Sequence, residues 1–379
     1  MIGYKFMGKA HTQAWARAGQ VFSIDARPIL HTVCGKTRGA VDAFASRWGW
    51  NHTSLDWREV VDHPEIDVID ICVPQYLHFD IALAALQAGK HVFCEKPLTL
   101  TVDQAHILSE EAQSRPELVH YVNHNYRRLP AVGLAKQMID QGKVGRIYHW
   151  RGAYLQDWII DPQFPLTWHL RKETSGMGPQ GDLNSHSVDL ARFLVGDITA
   201  VTCMAANFIT QRPLPDEAAS GTFSGTRDES GAVGEVSVED AAFMLARFDN
   251  GALGSFETSR FAAGRKNYNS FEIYGSRGSL MFNFERMNEL EFYSMDDPPE
   301  ERGFKTILVT ESEHPYMSGW WPPGHGIGYE HTFVHAAADF INAVVRGESI
   351  KPDFHDGLQI QRILEAGLES ASRGREIKL

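Results

Sequence analysis

One short run constrains the fold more than any other. Val68-Ile69-Asp70-Ile71-Cys72-Val73 is apolar at five of six positions, as a strand must be when helices cover both of its faces. Strand-like runs at 29–34, 91–94 and 119–123 accompany it, and helix-like runs at 11–18, 40–48, 78–88 and 102–114 fall between them. Elements that alternate in this way build a parallel sheet with helices on both sides. The expectation for residues 1–125 is therefore a doubly wound α/β domain.

After Asn125 the pattern changes. A helix at 131–141 is followed by strand-like runs at 146–156, 200–209, 241–248, 252–258, 270–274, 279–282 and 290–294. Asp249-Asn250-Gly251 joins two of them as a hairpin turn. A long helix at 181–194 interrupts the series, and helices at 329–346 and 357–372 close the chain. The expectation for 126–379 is an α+β domain with a large, mostly antiparallel open sheet, whose C-terminal helices pack back on the first domain. Residues 210–231, polar and rich in Gly and Ser, read as a long loop.

Composition narrows the class of function. The chain has 379 residues, 43% hydrophobic and 22% charged, as a soluble globular protein of two or three domains would. The net charge is −12 and no basic stripe offsets it, which argues against a nucleic-acid partner. No apolar run is long enough for a bilayer, and the N-terminus lacks a signal pattern, so no membrane partner is expected. Cys34, Cys72 and Cys94 sit in apolar runs and Cys203 stands apart. Free thiols are expected rather than disulfides or a metal site, in a reducing cytoplasmic setting.

Gly3-Tyr4-Lys5-Phe6-Met7-Gly8 carries the first and last glycines of G-x-G-x-x-G. That turn brings backbone against a pyrophosphate at a helix N-terminus. Lys5 replaces the middle glycine, so its side chain must point away or meet the phosphates itself. Only Met1 and Ile2 precede Gly3, short of the roughly five residues of an ordinary strand, so the chain is expected to start late relative to such a domain. At the end of the second strand, Gly35 stands where an acid would read a ribose hydroxyl. Lys36 and Arg38 can hold a 2′-phosphate, which favours NADP over NAD, and a solvated basic turn explains them equally well.

Three further features carry chemistry. In Glu95-Lys96-Pro97, Pro97 stops a strand and leaves Lys96 at the C-terminal edge of the sheet, where open α/β sheets bind ligands. In the segment Gly181 to Asp189, Asp182 and His186 lie four apart on one helix face. A carboxylate near a helix N-terminus stays ionised and can orient the imidazole as a base; a capping Asp with a core His is the plainer reading, and Asp189 reads as structural. Upstream, Tyr154, Gln156, Asp157, Trp158 and Trp168 suit a polyol, because carboxylates and amides grip hydroxyls while an indole covers the C–H side of a sugar ring. A Trp-rich core corner would use the same residue types.

The glycine motif, Pro74 with His78, Glu95-Lys96-Pro97, Asn125-Tyr126-Arg127-Arg128, and Gly181-Asp182 through His186 and Asp189 occur in order across the whole chain. Together they resemble the glucose–fructose oxidoreductase/inositol dehydrogenase/MocA (Gfo/Idh/MocA) family, and residues 154–158, 165–168 and 326–329 are most similar to its levoglucosan dehydrogenase branch. The resemblance implies a Rossmann domain, a sheet domain, NAD or NADP, and a homodimer or homotetramer formed through the sheet. It implies Lys96, Asp182 and His186 as the catalytic set. It places Gly3, Phe6, Met7, Gly8, Gly35, Lys36, Arg38, Pro74, His78, Glu95 and Asn125 at the cofactor, and adds Arg127 to the substrate residues. The implied reaction is hydride transfer between a ring hydroxyl of a pyranose, glycoside or cyclic polyol and nicotinamide, with His186 taking the hydroxyl proton and Lys96 stabilising the oxygen. Two readings compete with it. One is redox-neutral glycoside cleavage through a transient keto-sugar. The other is a non-catalytic sugar or nucleotide sensor, which Lys5 favours and the intact proton-transfer residues disfavour.

Overall fold

The computed structural model describes residues 1–216, 226 and 231–379. These form two compact units, Met1–Asn125 with Gly328–Gln361 and Tyr126–Ile327 with Arg362–Leu379.

In the first unit, helix α1 (Phe6–Val21) is followed by β1 (Thr32–Cys34), α2 (Arg38–Trp48), β2 (His52–Ser54) and α3 (Trp57–Val61). Then come β3 (Val68–Ile71), α4 (His78–Gln87), β4 (His91–Cys94), α5 (Val102–Gln113) and β5 (His120–Val122). All strands pair in parallel. The short start does not leave a gap in the sheet, because Ile2 alone bridges Cys34 on one side and Ile71 on the other. The order is thus β2-β1-Ile2-β3-β4-β5. β2 escapes a pattern reading because His52-Thr53-Ser54 is polar, as an edge strand can afford to be.

Both faces of this sheet are covered. Asp70, Phe93 and Tyr121 are register partners, and Phe93 packs against Trp15 of α1 (ring centroids 5.1 Å). The alternate residues Ile69, Ile71, Val92, Cys94 and Val122 enter a core completed by Ile81, Ala85 and Leu86 of α4 and Ala105 and Leu108 of α5.

The second unit comprises α6 (Pro130–Asp140), β6 (Ile147–Leu155), the short helices α7 (Lys172–Ser175) and α8 (Pro179–Asp182), and α9 (Asn184–Leu194). Strands β7 (Ile198–Ala206), β8 (Gln211–Pro213), β9 (Val233–Glu235), β10 (Ala241–Phe248) and β11 (Leu253–Ser259) follow, then β12 (Tyr268–Gly275), β13 (Gly278–Asn283), β14 (Glu289–Ser294) and β15 (Lys305–Leu308). The large sheet runs β15-β14-β13-β12-β6-β11-β10-β7-β16, with β16 at Ile377–Lys378. Its pairs are antiparallel except β6 with β11. Alternation of burial along β10 from Ala242 onward gives the sheet one packed and one open face. The segment expected as a loop at 210–231 begins instead with β8, which pairs with β9; its residues 217–225 and 227–230 lie outside the described ones.

Helix α10 (His331–Arg346) returns to the first unit, where Phe340 meets Trp15 (6.0 Å) and Phe333 meets His11 (5.5 Å). Helix α11 (Phe354–Arg373) gives Phe354 and Leu358 to the core of the first unit. Further along it, the Leu364 carbonyl accepts from Gln180 Nε2 in the second (3.3 Å). No helix among the described residues is long and apolar enough to cross a membrane. The cysteines are free, and burial pushes the Cys34 thiol up to about 11 and that of Cys203 up to about 12.

Candidate active-site residues

The glycine turn is built for close backbone approach. Gly3 has φ +100°, and a Cβ there would overlap the Cys72 carbonyl; one on Gly8 would overlap the Gly3 carbonyl. Only glycine meets both demands. α1 starts at Phe6 with no side-chain cap from Lys5, whose side chain is exposed. A helix N-terminus behind a glycine turn fits a pyrophosphate, so the residues present suit a dinucleotide. The Phe6 ring stacks on Tyr329 (6.4 Å, 8°). At the ribose-reading position a Cβ on Gly35 would strike the Tyr4 ring. That explains the missing acid: an aromatic residue from the glycine turn fills the space. Lys36 Nζ donates to Tyr76 OH (3.4 Å). Arg38 donates to Thr53 Oγ1 (3.2 Å) and lies 3.6 Å from Asp42.

Lys96 follows β4 as expected and is partly buried. Its neighbours are held within the first unit. Glu95 is buried and accepts from His11 Nε2 (2.8 Å) and Asn123 Nδ2 (2.7 Å). His78 sets its ring nitrogens 2.9 Å from the carbonyls of Pro97 and Val73, and burial holds its pKa down. Pro74 opens the turn that leads into α4. Asn125 Nδ2 donates to Thr332 Oγ1 (2.8 Å). The side chains of Glu95 and His78 therefore brace the chain on either side of Lys96.

In the second unit the helix expected at 181–194 is two helices. Leu183 interrupts them, and Asp182 is the last residue of α8 rather than the first turn of a long helix. Its charge is met by Arg260, whose Nη2 donates to Asp182 Oδ2 (2.7 Å) from a fully buried guanidinium that also lies over the Trp158 ring (5.2 Å). His186 is buried on α9, its ring stacked on Tyr126 (4.3 Å, 22°) and tilted against Tyr154 (5.8 Å).

Behind this imidazole runs a closed set of hydrogen bonds. Tyr154 OH donates to Asn267 Oδ1 (2.7 Å), Asn267 Nδ2 donates to Tyr126 OH (3.3 Å), and the two phenols are 2.9 Å apart. Because the Tyr154 proton is used on Asn267, Tyr126 must donate to Tyr154, and the three groups form a directed cycle. Gln156 Nε2 joins at Asn267 Oδ1 (3.1 Å), and Trp158 Nε1 donates to Gln156 Oε1 (2.8 Å). Asp157 accepts from Lys266 Nζ and Gly264 N, which draws its pKa down and ties the 264–267 turn to β6. Trp168 stacks on His169 (3.7 Å). Arg127 departs from expectation. Its Nε and Nη2 grip Asp189 at 2.8 and 2.7 Å, both side chains buried, so the guanidinium is committed to the core of the unit and not held out to a substrate.

Comparison with known proteins agrees with this geometry. Residues 1–124 match a family described as oxidoreductase family, NAD-binding Rossmann fold, and residues 132–281 match the GFO/IDH/MocA C-terminal domain. The chain belongs to the Gfo/Idh/MocA oxidoreductase family. It is 42% identical over 375 residues to levoglucosan dehydrogenase of Pseudarthrobacter phenanthrenivorans, covering 98% of this chain and 95% of that one. A solved levoglucosan dehydrogenase in complex with NADH and levoglucosan is 41% identical with a TM-score of 0.93, over 100% of this chain and 97% of that one. An oxidoreductase domain protein from Kribbella flavida is 44% identical with a TM-score of 0.94 over the same shares. This member is accordingly an oxidoreductase with an NAD-binding Rossmann fold.

Within the family frame, four residues carry more than their local sequence signals. Tyr126 and Asn267 sit in the hydrogen-bonded cycle, Arg260 holds Asp182, and His11 holds Glu95. Tyr126 lies inside the Asn125–Arg128 motif but offers no titration or spacing cue. Asn267 and Arg260 had no local signal at all, because each meets its partners from a distant strand end.

Proposed function

We propose that this enzyme oxidises a ring hydroxyl of a cyclic sugar or anhydrosugar, with NAD as the acceptor, and that Lys96, Asp182 and His186 carry the proton chemistry. The observation that carries the reading is the setting of His186. A buried imidazole lies against a wall of phenol, amide and indole groups whose polar atoms are already aligned by one another, as a polyol site requires. The levoglucosan dehydrogenase relative supports the anhydrosugar class, and its NADH complex supports NAD. Arg38, already engaged by Asp42 and Thr53, makes a weak 2′-phosphate ligand.

The turn at Gly3 and Gly8 and the start of α1 would hold the dinucleotide, and the nicotinamide, when bound, supplies the hydride acceptor. His186 takes the hydroxyl proton as the C–O bond becomes a carbonyl. The Lys96 ammonium donates to the same oxygen and stabilises the negative charge that develops there. Asp182, paired with Arg260, offsets the charge His186 acquires. Asp157 and Gln156 orient other hydroxyls, and Trp158 covers a C–H face.

A homo-oligomer forms, on this reading, through the open face of the large sheet. Phe243 and Met204 are register partners and are 51% and 76% exposed, beside Leu245 at 62% and Leu253 at 53%. An apolar patch of this kind marks a partner surface. Phe243→Arg with Leu245→Arg should yield monomers in sedimentation.

The decisive assay is reduced-nicotinamide absorbance with NAD⁺ or NADP⁺ against levoglucosan, pyranoses, glycosides and inositols. Turnover of a cyclic sugar with NAD⁺ is the expected result. Aglycone release without reduced nicotinamide would replace it with redox-neutral cleavage, and silence in both assays with cofactor bound would leave a sensor.

A further inference from the structure

The glycine-turn helix and the ends of three strands meet at one histidine. His11 on α1 is buried, with Nδ1 2.8 Å from Asp70 Oδ1 and Nε2 2.8 Å from Glu95 Oε1. Both carboxylates are themselves buried. Asp70 also accepts from Trp15 Nε1 (2.7 Å), and Glu95 from Asn123 Nδ2 (2.7 Å). A neutral imidazole has one N–H and could donate to one carboxylate only; the imidazolium donates to both. Asp70 lies on β3, Glu95 just past β4 and Asn123 just past β5, so one cation ties α1 to the three strand ends. The next residue after Glu95 is Lys96.

We infer that His11, as an imidazolium shared by Asp70 and Glu95, is a positioning residue for Lys96: it fixes the turn that presents the ammonium and screens that ammonium from the two buried carboxylates. The inference rests on the role assigned to Lys96 above. Burial opposes the charge on His11, but the Asp70 carboxylate outweighs it and holds its pKa well above the usual histidine value. Burial likewise opposes the charge on Glu95, and His11, Asn123 and Lys96 overcome it. The other titratable groups acting here are the Met1 amine on Asp70, Cys72 beside His11, and Cys94 and His78, both of which feel Glu95. Each has a pKa displaced in the direction that favours its neutral form. The charge balance near Lys96 is therefore set by His11, Asp70 and Glu95.

The test is the pH dependence of kcat/KM, with NADH affinity by fluorescence, in His11→Gln, Glu95→Gln and Lys96→Met. His11→Gln strips the cation and leaves the anions, so the alkaline limb should move up by roughly one pH unit. Glu95→Gln strips an anion beside Lys96, so the limb should move down. Both should lower kcat about tenfold or more with NADH affinity within threefold. Limbs that stay in place, or that move the same way while NADH binding weakens, would make His11 a buried brace and overturn the inference. If His11→Gln does not fold, Glu95→Gln decides alone: a lowered limb supports the inference and an unmoved one overturns it. If Lys96→Met is inactive while the other two match the parent, this inference falls and the catalytic reading stands. Parental turnover by Lys96→Met would remove both.

Discussion

The two units pair their carboxylates with different cations. In the first, Asp70 and Glu95 share His11. In the second, Asp182 has Arg260 and Asp189 has Arg127. A guanidinium keeps its charge at every pH a protein survives, whereas an imidazole can lose it. The His11 group of the first unit can therefore lose its cation as pH rises, whereas the two arginine pairs of the second keep theirs.

The largest effects test whether each unit supplies one proton-handling group. Lys96→Ala and His186→Ala should each lower kcat by about 10²–10⁴-fold, with NADH binding within a few-fold. A mild loss in either variant would break the division. Next comes the arginine framework. Arg127→Met removes one partner of a buried pair and should cost about 3–5 kcal/mol in denaturant unfolding. A raised sugar KM at unchanged stability would return Arg127 to the substrate.

The pH contrast can be sharpened directly. Asp70 and Glu95 are held below their ordinary values of 3.8 and 4.5, so their stabilisation is whole above those values and drains as pH falls through the lowered ones. His11 is held well above its ordinary 6.5, so its stabilisation is whole below 6.5 and drains as pH rises toward the raised value. The melting temperature should show a contribution from this group that is greatest between those limits and absent in His11→Gln. The same pH series run on Arg127→Met should keep it. The smallest effect concerns the neutral cycle. Tyr126→Phe removes one donor and should cost about 1 kcal/mol, while Asn267→Ala, which strips three contacts at once, should cost more. Equal losses would mean that the three groups do not act as a directed ring.

How much of this was legible in the sequence depends on the range of the cause. The strands at 91–94 and 241–248 match the structure residue for residue, because their pattern is set by burial on each strand itself. Asp70 looked like a blemish in an apolar run, and it is tolerated because Trp15 and His11, more than fifty residues away, satisfy it. The helix break at Leu183 carries no Pro or Gly and could not be read from spacing. Asp182 was read as stabilised by a helix start, and it takes that role from Arg260 across 78 residues. Arg127 stands among the substrate residues only through the family resemblance, and its pairing with Asp189, 62 residues away, has no local signal. Chemistry-bearing residue types are local signals, whereas the residues that hold them in place are not.

The one parallel pairing in the large sheet has a consequence for how the protein is made. β6 lies between β11 and β12, which follow one another in the chain. When residues 147–155 leave the ribosome, both of their hydrogen-bonding edges wait on strands not yet synthesised, and an unpaired edge invites other chains. Tyr154, central to the cycle behind His186, rides on that strand. A nascent chain halted before residue 253 should therefore depend on chaperones, and release of that dependence should track the appearance of β12 rather than of the catalytic helix.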